Sequence, residues 1–370
     1  MFRTRANFAS VGPPAAFKRL ALAVFLMAAS AQAQPPEALI RSVETEKVAA
    51  LTGPEAPGEM RRPDICGTDI GTMAELGGRI YFAFGDTFGY RGEECPKFGP
   101  NWRSNVLAST GDHDPADGIV LQQWLTGSRG SAVAMTEGAH QPAFSGEQTR
   151  IPTAMIAVED RLYVHYMSVH GFAAQGGVWS CNFSRFLYSD DLGESWREAE
   201  EVFGDAEAGF NMLALAAAGE GQDRYVYAIG TPCGRFGGAR AARVAPNAIL
   251  DSGAWEYFTG DGWSGERGEA GEVIPEPVGE GSLVWNEGLG RWLYSYLNEH
   301  SAALELREAL NPWGPWSEPV TLATAGRFPQ LYGAYMTPSF ISTDGRTVYF
   351  VMSQFGPYNT FIMKATLGLE

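Results

Sequence analysis

One short pattern recurs five times along this 370-residue chain. The copies are "GGRIYFAFGD" (77–86), "EDRLYVHYMS" (159–168), "QDRYVYAIGT" (222–231), "LGRWLYSYLN" (289–298) and "DGRTVYFVMS" (344–353). Each joins a turn dipeptide rich in Gly or Asp to an arginine, then to a run of aromatic and aliphatic residues. The arginines (Arg79, Arg161, Arg224, Arg291 and Arg346) stand 55 to 82 residues apart. Upstream of each lies a second strand-like run: "DIGTMAEL", "IPTAMIAV", "NMLALAAA", "GSLVWNE" and "YMTPSFIST". Every unit therefore opens with a β-hairpin.

A hairpin of this kind cannot bury both faces alone, and repeated units of this length bury them against one another around an axis. Long helical periodicity is missing, while 45 Gly and 22 Pro punctuate short strands throughout. The expectation is an all-β, five-bladed β-propeller in a single domain, with six blades or two sandwiches as the alternative. Ser189, Asp191, Gly193 and Trp196 in "RFLYSDDLGESWREAEEVF" (185–203) resemble an Asp box, the structural turn between outer strands of propeller blades. "GAWEYFTGDGW" (253–263) and "NPWGPWSEPV" (311–320) read as outer edges of other blades. The segment "SVETEKVAALTG" (42–53) precedes the first hairpin and is expected to close the last blade.

The first 33 residues carry Arg3, Arg5, Lys18 and Arg19, then the apolar run "LALAVFLMAA", then "AQA" at 31–33. A basic start, a short apolar centre and an Ala-x-Ala exit make a signal peptide, cleaved after Ala33. The domains expected are therefore 1–33 signal peptide, 34–60 closing segment and 61–370 propeller. The protein is expected to be secreted or periplasmic, with no membrane attachment after cleavage. Without the leader the chain holds 23 Lys+Arg against 43 Asp+Glu, a net charge near −20. That balance argues against nucleic acid or an anionic membrane as partner. Cys66, Cys95, Cys181 and Cys233 lack the Cys-x-x-Cys spacing of a metal or redox site. In an exported chain they read as two disulfides, with three connectivities available. Cys66 and Cys95 flank the first hairpin, whereas Cys181 and Cys233 fall in long loops of blades two and three. Cys66–Cys95 and Cys181–Cys233 are therefore the pairs expected.

The first hairpin is chemically unusual. Gly77-Gly78 makes a two-residue turn, so partners across the ladder sum to 155 and Asp69 falls opposite Asp86. Directly opposed β-carbons lie ~4.5–5.5 Å apart, which would set two carboxylates side by side unless a bulge intervenes. Such a pair titrates together and holds one proton well above its ordinary range, supplying an acid and a base at one pH. Hydrolysis of a glycosidic bond needs two carboxyls of this kind. At the position of Asp86 the other repeats carry Ser168, Thr231, Asn298 and Ser353, so the first alone can ionise. In a propeller these five side chains would ring one mouth of the channel.

Other residues are candidates for substrate binding on the same face. Trp102, Trp179, Phe236, Tyr332 and Tyr335 offer aromatic faces for sugars. His140 precedes the second blade and His170 ends its first hairpin. Arg235, Asn298 and Glu280 could hold hydroxyls, and Glu280 or Glu299 could add a third carboxylate on this face, although an exposed loop acid is the favoured reading of each glutamate. "DHDPADG" (112–118) spaces oxygen ligands as calcium would need, but its place between strands reads as a turn. No metal and no cofactor is expected. A Gly-rich phosphate loop, His-Glu-x-x-His and Gly-x-Ser-x-Gly are all missing from the sequence.

The combination "GTDIGTMAEL…GGRIYFAFGDTFG", "GARAARVAPNAILDSGAWEYFTG" and "ELREALNPWGPWSEPV" resembles the family called domain of unknown function 4185 over about residues 60–366. The resemblance implies an exported five-bladed propeller. Some members are endo-D-arabinanases that cut the α-D-arabinofuranosyl chains of arabinogalactan and lipoarabinomannan, and their acidic pair maps onto Asp69 and Asp86. The resulting expectation is a monomeric, secreted glycoside hydrolase acting on a polysaccharide. A non-catalytic propeller binding glycans or proteins is the alternative, and it predicts aspartates that are singly exposed or held in salt bridges. A sialidase-like enzyme would need a cluster of channel arginines that the inner strands do not supply.

Overall fold

The computed structural model describes residues 37–201, 204 and 209–369. The expected signal peptide, residues 1–33, lies outside the described residues. Among these, no α-helix occurs and no helix is long and apolar enough to cross a membrane.

The first strand, β1 (Ile40–Ala50), belongs to the last blade. Blade one is β2 (Ile70–Leu76), β3 (Arg79–Phe84), β4 (Val106–Thr110) and β5 (Gln123–Trp124). Blade two is β6 (Thr149–Val158), β7 (Arg161–Phe172), β8 (Trp179–Ser189) and β9 (Arg197–Glu201). Blade three is β10 (Met212–Ala218), β11 (Tyr225–Thr231), β12 (Ala239–Val244), β13 (Glu256–Phe258) and β14 (Trp263–Ser264), with β15 (Glu272–Ile274) pairing on β12. Blade four is β16 (Gly281–Asn286), β17 (Arg291–Asn298), β18 (Ala303–Ala309) and β19 (Val320–Thr324). Blade five is β20 (Leu331–Ile341), β21 (Thr347–Gln354) and β22 (Asn359–Leu369), completed by β1. The inner strands β2, β6, β10, β16 and β20 neighbour one another in that order and return to β2. The result is a closed five-bladed propeller.

Each inner hairpin is buried on both faces, which explains why "RIYFAF" reads as a continuous apolar run rather than an alternation. One face packs on the preceding blade and the other on the next. Tyr81, Leu107, Met155 and Val164 fill the wedge between blades one and two, and Ile156, Phe186, Phe210 and Trp255 the wedge between two and three. Ile229, Trp292, Tyr294 and Trp316 fill the next. Burying each such side chain contributes roughly 1.5–3 kcal/mol, so the wedges, not the single sheets, stabilise the ring. The Asp box is structural as expected: Asp191 accepts from Ser195 N (2.9 Å) and Ser195 Oγ (2.5 Å), and Trp196 Nε1 donates to Gly193 O at 3.2 Å. The "DHDPADG" segment is a turn in which Asp112 and Asp114 accept from backbone N–H groups.

The disulfides are Cys66–Cys95 and Cys181–Cys233, with Cα separations of 5.2 and 6.0 Å. One local expectation fails. Residues 171–182 read as a long loop from sequence, but half of them are strand: bulged pairing through Val169–Cys181, Gly171–Ser180 and Phe172–Trp179 carries β7 to Phe172 and starts β8 at Trp179, leaving 173–178 as the loop. Cys181 therefore sits in β8.

Candidate active site

Gly77 and Gly78 have φ of 59° and 73°, the left-handed pair that a two-residue hairpin turn requires. The register sums to 155 from Leu76–Arg79 to Thr72–Ala83, then slips, so that Ile70 opposes Phe84. Gly71 at φ 101° makes this bulge. Asp69 consequently pairs with Gly85, whose N–H donates to Asp69 O at 3.0 Å, and not with Asp86 as the uninterrupted ladder predicts. The bulge re-aims Asp69 while leaving it next to Asp86. From Gly67–Phe88 outward the ladder sums to 155 again.

The "Gly85-Asp86-Thr87" ending now has a cause. A β-carbon at Gly85 would lie 2.3 Å from Asp69 Oδ1, so only glycine leaves room for that carboxyl. Thr87 Oγ1 ties the turn by donating to Gly85 O at 2.8 Å. Gly85→Ala is expected to displace Asp69 and lower turnover by about 10²-fold, since reacting groups misplaced by ~1 Å lose that much. Steady-state kinetics beside a melting curve checks it; unchanged kinetics would show that Asp69 has no fixed role.

The two carboxyls are held from opposite sides. Asp69 is served by blade five: Tyr332 OH donates to Oδ2 at 2.8 Å, and Tyr358 is a second phenol beside it. Ser353 Oγ accepts from Ile70 N at 2.9 Å and so fixes the bulge that carries Asp69. Asp86 is served from the other side, where Thr149 Oγ1 and Trp102 Nε1 donate to its Oδ1 at 2.5 and 2.6 Å. The Trp102 indole in turn stacks on His140 at 3.9 Å with planes 2° apart, and His140 Nε2 meets Glu137 Oε1 at 2.9 Å.

Asp86 is buried, and Asp69 keeps an exposed edge although its Oδ1 is buried without a hydrogen-bond partner. Burial pushes Asp86 up to about 8; the charges of Asp69 and Glu137 add to this, against the bonds from Thr149 and Trp102. Burial likewise pushes Asp69 up to about 7, with Glu280 adding, while Tyr332, Tyr358 and Arg235 oppose. Next to Asp69, Ile70 joins Ile151, Met167 and Met212 in lining a cavity between the inner strands. Near neutrality the pair holds a proton that separate aspartates would have lost. Among the described residues neither aspartate makes an ion pair, which is not the arrangement that the binding-module alternative predicts.

Arg235 is a cation whose charge reaches Asp69. Its Nε and Nη2 grip Glu280 (2.8 Å each to Oε2 and Oε1), and Nη1 reaches Glu299 Oε1 at 2.8 Å. Its guanidinium also lies 5.2 Å from the Tyr332 ring and 5.5 Å from Trp179. Glu280 and Glu299 are thus not exposed loop acids. Ring closure sets them against a buried arginine that the Cys181–Cys233 bridge anchors two residues away. Tyr335 borders the channel beside Glu280. The structure does not bring His170 or Asn298 to the aspartates: His170 Nδ1 pairs with Gly146 O at 2.8 Å, and Asn298 caps the turn to Ser301 while donating to Glu305. Phe236 lies at the edge of the group, 6.2 Å from His300. Sequence reasoning missed Thr149 and Tyr358, which no local pattern marks, and gave Ser353 no part in holding Asp69.

A family model described as "Domain of unknown function (DUF4185)" matches residues 55–364, most of the chain. The chain belongs to the DUF4185 family. No curated protein matches this DUF4185 chain. Among solved structures it is similar to a family 117 glycoside hydrolase from the marine bacterium Zobellia galactanivorans, at 14% identity, covering 89% of this chain and 90% of that one, with a TM-score of 0.49. It is similar to an α-L-arabinofuranosidase from Clostridium thermocellum at 13% identity (77% and 82% covered, TM-score 0.46). It is also similar to an exo-β-1,3-galactanase from Phanerochaete chrysosporium at 8% identity (88% and 64% covered, TM-score 0.49), a longer chain of which this DUF4185 protein spans about two thirds.

Proposed function

We propose that this protein is a secreted, monomeric glycoside hydrolase that cuts within α-D-arabinofuranosyl chains, using Asp69 and Asp86 as its acid and base. The observation that carries the reading is the pair itself: two adjacent carboxyls, raised by burial and without an ion pair among the described residues, where the first hairpin ends. Two carboxyls of which one keeps its proton near neutrality are what glycosidic hydrolysis requires. Asp86, the more strongly raised, gives its proton to the glycosidic oxygen. Asp69, which keeps an exposed edge, takes a proton from the water whose oxygen bonds to the anomeric carbon. The choice of arabinan rests on the likeness of the Thr-Asp-x-Gly and Phe-Gly-Asp-Thr segments to endo-D-arabinanases. The two disulfides support an extracellular setting. A sialidase-like reading finds no support in Arg235, which two glutamates already match.

The test is digestion of purified arabinogalactan by the protein, read by mass spectrometry, with Asp86→Asn alongside. Pentose oligomers released by the wild type and absent with the variant are expected; a folded wild type that releases none would remove arabinan as substrate. A pH profile gives a second check. With one group near 7 to be deprotonated and one near 8 to be protonated, kcat/KM is expected to be bell-shaped with its maximum between. Full activity at pH 5 would show that the carboxyls are not raised in the working enzyme.

A further inference from the structure

A belt of aromatic rings runs from one aspartate to the other and then out to the surface. Trp102, which donates to Asp86, stacks on Phe88 at 5.9 Å between centroids. Phe88 meets Tyr358, the second phenol beside Asp69, at 5.8 Å. Both Phe88 and Tyr358 then touch Phe98, at 5.4 and 5.3 Å, and Phe355 lies 6.1 Å from Tyr358 and 6.2 Å from Phe98. Phe88 and Tyr358 are buried and Trp102 is half-buried, whereas the last two rings are exposed, Phe98 by 53% and Phe355 by 46%.

Two large exposed rings side by side are not required by the packing of any blade. They come from different ends of the chain, Phe98 from the loop that Cys66–Cys95 fastens and Phe355 from the turn between β21 and β22. Lys97 extends the group, its ammonium 3.2 Å from the Phe355 centroid and 5.2 Å from that of Phe98. Among the described residues Lys97 makes no ion pair; its ammonium covers one face of Phe355, so its N–H donors stand beside the remaining exposed ring surface, within reach of a hydroxyl group there.

We infer that Phe98 and Phe355 form a stacking platform for a neutral sugar residue of the glycan chain, one that flanks the bond cut between Asp69 and Asp86. The inference rests on the hydrolase reading. Three observations select this occupant. The platform continues the ring belt that contacts both aspartates. Exposed apolar ring surface with an unpaired ammonium beside it matches a sugar, whose rings offer C–H faces and a hydroxyl rim. The neighbouring Asp69, Asp86, Glu137 and Glu280, on a chain of net charge −16, disfavour an anionic residue there.

The experiment is affinity electrophoresis of the Asp86→Asn protein through gels containing arabinogalactan, arabinoxylan or galactan, compared with Asp86→Asn carrying Phe98→Ala and Phe355→Ala. At least one polysaccharide is expected to retard the first protein, and the double alanine change to weaken that binding about tenfold. Phe98→Tyr with Phe355→Tyr should restore retardation, which separates lost stacking from a disturbed loop. Equal retardation of the Ala and Phe forms, or retardation by none of the gels, overturns the platform. Digestion by the wild-type protein is read independently, so pentose release without any platform effect leaves the hydrolase standing and this inference refuted.

Discussion

Asp86→Asn is expected to lower turnover on a susceptible glycan by a factor on the order of 10²–10⁴, the usual worth of a positioned general acid. The change is nearly isosteric. An amide oxygen can still accept from Thr149 Oγ1 and Trp102 Nε1, so the walls of the site should stay in place. What disappears is the proton. The same variant should respond differently to pH in its stability. A carboxyl raised in the folded state binds a proton that the unfolded chain has already released between about pH 4 and 8, so wild-type stability falls as pH rises through that window. Above it the deprotonated group is a buried charge, and its cost is fully present. Asp86→Asn removes the share of that dependence due to Asp86, leaving the share of Asp69, and should be more stable than wild type at pH 8, by an amount on the order of a few kcal/mol. Urea denaturation at pH 5 and pH 8 measures both slopes. A wild-type stability that rises between these values would contradict the raised pair, whatever the kinetics show.

Arg235→Met should have the largest effect on folding. The guanidinium satisfies Glu280 with two hydrogen bonds and Glu299 with one, and all three side chains are largely shielded from water. Removing the cation leaves two carboxylates facing each other without a partner, a situation that costs roughly 3–5 kcal/mol. Adding Glu280→Gln and Glu299→Gln should recover much of the loss, because neutral amides do not repel. Arg235 also draws Asp69 downward, so its removal should move the acid limb of the pH profile to higher pH. Denaturation midpoints and kcat/KM profiles of the single and triple variants test this together. A loss below about 1 kcal/mol would mean that water, not Arg235, solvates the two glutamates.

The parts of this molecule that sequence made legible are those written locally. The hairpin repeat announced five blades because each copy carries its own turn and its own buried strand. The two-glycine turn fixed the register closely enough to bring Asp69 to Asp86. Residues 42–53 stood outside the repeat and so had to pair elsewhere. The error in register came from Gly71, where a glycine inside a strand signals a bulge only once its backbone is seen. The supporting groups were harder for a different reason. Thr149, Tyr332 and Tyr358 come from two other blades, and Arg235 meets Glu280 and Glu299 only because the ring closes. No spacing along the chain encodes such meetings.

The pairing of β1 with β22 sets Ile40 opposite Leu369, so one sheet unites the two extremes of the described chain. A ribosome makes these strands first and last. Until β22 exists, β1 has no ladder to join and blade five presents an open edge, the kind of surface on which chains associate with one another. Completion of the ring therefore waits for β22, and a circular permutant that joined β22 to β1 and opened a loop between other blades would change only which seam is sewn last.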